Sequence, residues 1–104
     1  MNKKINNIEC LKLFKQILKL IQKSPIGFFK LKKLKGVMGY CEWDDGITID
    51  YRKELVPTVI HECIHYLEPE WSESRVLYVE KRVVNVINNK QTLKLLKTFT
   101  SVCV

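Results

Sequence analysis

Apolar residues recur three and four positions apart through residues 8–21, and lysines occupy many of the positions between them. This spacing predicts an amphipathic helix that buries one face and exposes a lysine-rich one. Asn6 or Asn7 is suited to cap its first turn, and Pro25 disfavours a helical residue before it. We therefore expect an N-terminal helix that ends near Ser24.

Three segments, 28–34, 36–43 and 47–51, follow with shorter apolar periodicity typical of β-strands. Asp44-Asp45-Gly46 predicts a hairpin turn between the second and the third. The lysines of the first segment suit an edge strand, where charge discourages unwanted pairing. A small three-stranded antiparallel sheet is the simplest arrangement of these segments.

In the second half of the chain, apolar residues are again spaced three and four positions apart, as in a helix. Pro57 lies where a helix can begin, and residues 68–70 break that helix after Leu67. A further helix should start near Trp71 or Ser72 and end at Asn88, and a short last one should cover 92–99. The pattern as a whole predicts a single α+β domain over 1–104: an N-terminal helix, a small sheet, two central helices and a C-terminal helical tail.

The net charge of +7 is distributed unevenly along the chain. Residues 1–35 carry +9, residues 36–80 carry −7, and residues 81–104 carry +5. The basic ends are as well suited to neutralise the acidic middle, within or between chains, as to bind phosphates. Lysines interrupt the first apolar run, which argues against a secretion signal or a membrane span and predicts a soluble cytoplasmic protein.

The four cysteines, Cys10, Cys41, Cys63 and Cys103, show no CxxC spacing and do not indicate a structural zinc site. Cys10 and Cys63 are expected to pack as small apolar side chains. Cys103 has a sharper alternative role, because a thiolate at the end of the tail could reach a metal and block it.

The chain's only two histidines stand four residues apart in the sequence His61-Glu62-Cys63-Ile64-His65. On a helix, positions i and i+4 lie one turn apart on the same face. Both imidazoles can therefore bind one metal ion, while Glu62 reaches a water molecule on the metal's open side. This HExxH pattern predicts a zinc site with Glu62 as the catalytic acid and base.

A catalytic zinc needs a third protein ligand, which here must be a carboxylate or a cysteine. Glu73 and Glu80 both lie on the apolar face of the third predicted helix, where an acid is costly unless paired or metal-bound. Glu73 is the predicted ligand because the break at 68–70 would bring that helix's first turn back to the motif. Glu80, about 10 Å further along, is assigned to orienting a ligand imidazole or to pairing with a lysine. Alternatively, Glu73 only complements the helix dipole.

In such a site Glu62 would take a proton from water and pass it to the leaving amine. An additional donor would stabilise the oxyanion, and an edge of the sheet within 36–43 could hold an extended peptide by strand addition. The sequence leaves four candidates for that donor: Tyr40, Tyr66, Tyr78 and Arg75.

The motif at 61–65, a carboxylate eight positions after it at Glu73, and the short strand-rich front half together resemble the minigluzincins, small soluble zinc peptidases of the gluzincin group. The resemblance implies His61, His65 and Glu73 as zinc ligands, Glu62 as general base and acid, and a peptide or protein substrate. It also implies latency, in which residues 89–104 of the same chain, or of a neighbouring chain such as the partner in a homodimer, cover the cleft.

The chain departs from the thermolysin-type gluzincins at Leu77, where those enzymes place an aspartate four residues after the ligand glutamate. His61 must therefore be oriented by another residue, and Asp50 and Glu80 are the candidates. Two rival interpretations stay open. One is a pseudoenzyme with structural zinc; the other, less favoured, is a basic nucleic-acid-binding module that uses Lys30, Lys32, Lys33 and Lys35 with Phe28 and Phe29 as stacking residues.

Overall fold

The computed structural model describes residues 4–52 and 54–103, which form four helices and a three-stranded sheet. The α+β class predicted from the sequence is confirmed. The elements are α1 (Asn7–Lys23), β1 (Phe29–Lys32), β2 (Gly39–Glu42), β3 (Gly46–Asp50), α2 (Leu55–Leu67), α3 (Glu73–Val86) and α4 (Asn89–Val102).

Helix α1 follows its apolar periodicity and begins with a capping box. The Asn6 side chain accepts a hydrogen bond from the Glu9 amide at 2.8 Å, and the Glu9 carboxylate accepts one from the Asn6 amide at 3.0 Å. Two backbone donors of the first turn are thereby satisfied. Ile17 and Ile21 on the inner face are fully buried, so the helix supplies one wall of the core.

The sheet is mixed, and the prediction of a purely antiparallel sheet is wrong. β2 and β3 form the expected antiparallel hairpin, but β1 pairs in parallel on the other side of β3. Every residue of β3 is buried, so this strand takes the central position. Gly46 makes the parallel pairing possible, because a Cβ there would overlap the Phe28 carbonyl. β1, with its lysines, is an edge strand as predicted.

Two helices of the second half, α2 and α4, begin earlier than their sequence signals, whereas α3 begins at Glu73, just after its predicted start. α2 starts at Leu55, so Pro57 occupies its first turn, where a missing N–H costs little. Ser72 caps α3 by accepting a hydrogen bond from the Arg75 amide. α4 starts at Asn89 under a second capping box and is longer than the predicted 92–99. Among the described helices, none combines the length and apolarity needed to cross a bilayer.

Helix α4 is part of the hydrophobic core. Leu95 and Phe99 are at most 1% exposed, and the Phe99 ring meets Phe29 edge to face with 5.7 Å between centroids. The described part of the C-terminal segment, 89–103, therefore packs against the scaffold of its own chain and lines neither cavity at the histidines, so it does not cover the cleft of that chain as expected; cover by a neighbouring chain stays a prediction. Burial of its apolar face accounts for this, since a small domain has few other residues to complete the core.

Candidate metal centre

His61 and His65 lie one turn apart on α2, with 4.9 Å between ring centroids. Their orientation follows from the neighbouring apolar stripe, because Ile60 and Ile64 are fully buried and fix which face of α2 meets the core. The imidazoles therefore point to the adjacent, partly exposed face. The i and i+4 geometry predicted from the motif is confirmed.

Glu73 reaches both imidazoles from the start of α3. Its Oε1 lies 2.6 Å from His65 Nε2 and 3.1 Å from His61 Nε2. The turn at 68–72 folds α3 back against α2, which places its first residue beside the motif. One atom from each of the three residues falls within 4.8 Å of the others, so they form a group that could hold a metal ion.

Glu80 holds the other nitrogen of His61. The distance from His61 Nδ1 to Glu80 Oε1 is 2.9 Å, and both side chains are only 13% exposed. A carboxylate that accepts from Nδ1 leaves Nε2 to face the ligand group. This hydrogen bond is the main reason why the pKa of His61 is raised, although partial burial opposes it.

Asp50, the other candidate partner of His61, is engaged elsewhere. Its buried carboxylate accepts from the Arg52 guanidinium at 2.7 Å and from the Leu34 amide at 3.0 Å. These hydrogen bonds hold the pKa of Asp50 well below its usual range. Leu77, which stands where an aspartate was expected by resemblance, lines a cavity at the site. The structure thus gives the orienting role to Glu80 alone of the two candidates.

Glu62 lies between the histidines on α2 and is 7% exposed. Burial raises its pKa, while the two neighbouring imidazoles act in the opposite direction. Glu73 shows the reverse balance: desolvation opposes its charged form, but the hydrogen bond from His65 and the charge of His61 outweigh it and lower its pKa. The two carboxyl groups therefore differ, with Glu73 the better anion and Glu62 the better proton acceptor.

Two cavities meet at this group and share His61, Glu62 and Glu73 in their walls. We call them together the metal cleft. One, of about 630 Å³, is lined by apolar side chains and by acids. The other, of about 410 Å³, is lined by β2 and by the end of α2. The first includes Leu34, Val37, Met38, Leu77, Glu54 and Glu80; the second includes Tyr40, Cys41, Trp43, His65 and Pro69.

Gly39 allows β2 to approach α2 closely, a role that the sequence analysis missed. A Cβ at this position would lie 3.0 Å from Thr58 Cγ2 and 3.1 Å from Glu62 Cγ. It would also lie 3.0 Å from the backbone oxygen of Thr48. The absence of a side chain at Gly39 thus leaves room for Glu62 at the position it occupies. A glycine inside a strand pattern is itself a signal of close backbone approach and could have indicated this.

The structure distinguishes among the four candidate hydrogen-bond donors for the oxyanion by their positions. Tyr40 lines the metal cleft. Tyr66 stacks on Trp43 instead, with 4.5 Å between ring centroids. The Tyr78 hydroxyl accepts from the Ile5 amide at 3.4 Å, and the Arg75 guanidinium lies 4.9 Å from the Trp71 ring centre. Tyr40 is therefore the candidate that the structure brings to the site.

Cys10 and Cys63 lie in the apolar environments predicted for them, whereas the structure does not support the alternative role considered for Cys103. Cys10 and Cys63 are fully buried. Cys103 is outside the group of potential ligands in the described part of the chain. Burial raises the pKa of the Cys103 thiol to about 11, which disfavours the thiolate that metal binding requires. A blocking role for Cys103 has no geometric support.

The residues of the nucleic-acid hypothesis are only partly available for binding in the described structure. Phe29 is fully buried in the core and cannot stack on a base. The Lys30 ammonium is paired with the Asp45 carboxylate at 2.9 Å. This removes one aromatic platform and engages one of the four proposed lysines.

Comparisons of the chain with protein-family models, with curated proteins and with solved structures give no match.

Proposed function

We propose that this protein is a zinc-dependent metallopeptidase of the gluzincin type. The observation that carries the proposal is the convergence of His61, His65 and Glu73 on one point in an open cleft, beside Glu62. Two imidazole nitrogens and one carboxylate oxygen are a donor set of catalytic zinc, which keeps its fourth position for water or substrate.

The distances from the Glu73 carboxylate to the two imidazole nitrogens are compatible with zinc. Ligands about 2.0–2.2 Å from a tetrahedral ion lie about 3.3–3.6 Å from one another. Glu73 Oε1 is 2.6 Å and 3.1 Å from the two imidazole nitrogens, so each separation would need to widen by less than about 1 Å. Glu73 is also largely exposed, which leaves its side chain room to adjust.

When bound, zinc would supply Lewis acidity to a peptide carbonyl and lower the pKa of a water molecule. Glu62 would accept the proton of that water and return it to the leaving amine, a transfer that its burial-raised pKa favours. Glu80 would keep His61 in one orientation during the cycle. Tyr40 would donate a hydrogen bond to the oxyanion.

The edge strand β2 supports a peptide as substrate. β2 pairs with β3 on one side only, and Gly39, Tyr40 and Cys41 line the cleft. An extended peptide could add to its open edge through backbone hydrogen bonds. Because α4 packs into the core, the proposal includes no cover of the cleft by α4.

The test combines metal analysis with peptide cleavage. The purified protein should bind one zinc ion per chain and cleave members of an unstructured peptide library, as detected by mass spectrometry. Glu62→Gln should keep the zinc and lose cleavage, whereas Glu73→Ala should lose the zinc. If the wild type binds zinc but cleaves no peptide, and Glu62→Gln changes no measured property, the pseudoenzyme is favoured instead.

A further inference from the structure

A third cavity, of about 500 Å³, lies beside the metal cleft between the ends of α1 and α2. Tyr66 lines it and stacks on Trp43, which lines the cleft. Phe28, also in its wall, meets Tyr66 edge to face with 5.1 Å between ring centroids. These three rings, which we call the aromatic surface, run without interruption from the metal cleft into the third cavity.

Trp43 is 56% exposed, although the burial of so large a ring would be favourable. Exposed aromatic side chains of this kind are enriched where proteins bind partners, because one face can be covered at little cost in entropy. Trp43 directly follows β2. A peptide that pairs along the open edge of β2 would therefore leave the strand beside Trp43 and continue over the aromatic surface.

The sign of the charge changes between the metal cleft and the third cavity. Lys19 and Lys23 line the third cavity, where Glu68 is the one acid. Neither lysine forms an ion pair with another residue in the part of the chain that the structure describes. The cleft, by contrast, is lined by one cation and four acids: Lys81, Glu54, Glu62, Glu73 and Glu80.

We propose that the third cavity is a distal substrate subsite that binds an acidic side chain of the peptide, while the aromatic surface holds an apolar residue between that acid and the scissile bond. The inference rests on the peptidase function proposed above and adds a preference to it. β2 has four residues. At a rise of about 3.3 Å per residue the strand spans about 13 Å, so the acid would lie several residues from the scissile bond.

The preference can be measured with peptides that differ at one position. A cleavable peptide carrying Glu at successive positions on each side of the scissile bond is compared with its Gln and Lys counterparts. We expect Glu to raise kcat/KM at positions on one side only. Lys19→Glu with Lys23→Glu should reverse this preference, by up to about fivefold for each lysine, the range of exposed ion pairs.

The matched control is Lys12→Glu with Lys15→Glu. These exposed lysines lie on the same helix and give the same change in net charge, but they do not line the third cavity. A milder double variant, Lys19→Gln with Lys23→Gln, should abolish the preference for Glu without reversing it. Thermal unfolding of each variant shows whether a lost preference is instead due to misfolding. No preference in the wild type, or an equal effect of the control pair, would overturn the subsite.

Binding to the zinc-loaded Glu62→Gln protein separates this inference from the proposed function. Fluorescence anisotropy of the same labelled peptides reports affinity without turnover. If no peptide is cleaved but Glu peptides bind more tightly and lose that advantage in the Lys19 and Lys23 variants, the subsite stands and the peptidase proposal fails. Cleavage without any charge preference in affinity or in kcat/KM overturns the subsite alone.

Discussion

Glu80 Oε1 lies 2.9 Å from Nδ1 of His61, and both side chains are largely buried between α2 and α3. This contact orients the imidazole of His61. Glu80 lies on α3, two turns after Glu73. An acid four residues after Glu73 would occupy the position of Leu77, which faces the apolar part of the metal cleft instead. The acid that contacts His61 thus lies about one turn further along α3 than Leu77.

Loss of this contact should weaken metal binding. Glu80→Ala is expected to reduce zinc affinity by about 10- to 100-fold, because His61 then lacks a partner that fixes its ring. Competition with a chromophoric chelator measures the affinity. Glu70→Ala is the charge-matched control, since Glu70 is exposed and lines none of the three cavities. Equal affinity of wild type and Glu80→Ala would show that Glu80 does not support the site.

The pH dependence of zinc binding follows from the raised pKa of His61. In the metal-free protein the protonated imidazole contributes stability that is fully present below its unfolded pKa, about 6.5, and is lost as pH rises through the folded pKa. Zinc must displace that proton, so its affinity should rise with pH up to the folded pKa of His61 and then level off. Glu80→Gln should move the inflection to lower pH. Isothermal titration at several pH values would detect it, and an unchanged inflection would contradict the assignment.

Gly39 should be required for catalysis more than for metal binding. Gly39→Ala places a methyl group against Glu62 and Thr58, and displacement of the carboxylate by about 1 Å can cost about 100-fold in rate. Zinc content should remain unchanged, because His61, His65 and Glu73 are not displaced. Adding Thr58→Ser removes the Thr58 methyl that the new side chain meets, so partial recovery of kcat is expected. Full activity of Gly39→Ala would refute the close approach.

Helix α4 should be needed for folding. Phe99→Ala is expected to lower the free energy of unfolding by about 3–5 kcal/mol, since Phe99 is fully buried against Phe29. Leu93→Ala on the same helix, where the leucine is 52% exposed, should change it by less than about 0.5 kcal/mol. Urea denaturation followed by circular dichroism measures both. Deletion of residues 89–104 should prevent folding, whereas a folded and more active truncated protein would support a covering tail.

The sequence by itself determined the features that depend on neighbours along the chain. The spacing of His61 and His65 defines one face of a helix, the hairpin turn at Asp44-Asp45-Gly46 joins β2 to β3, and α1 begins at the predicted cap. Each of these depends on interactions within a few residues, and periodicity and turn chemistry record such interactions directly. The convergence of Glu73 on the histidines could also be predicted, because a five-residue break leaves α3 little freedom to lie elsewhere.

Only the tertiary structure decided the remaining features. It placed β1 parallel to β3, packed α4 into the core, chose Glu80 over Asp50 as the partner of His61, and brought Gly39 against Glu62. These outcomes depend on contacts between residues far apart in the chain, where several pairings satisfy the same local pattern. Burial of apolar surface decides among them: the central position of β3 buries Ile47 and Ile49 completely, and α4 joins the scaffold because Leu95 and Phe99 complete a small core.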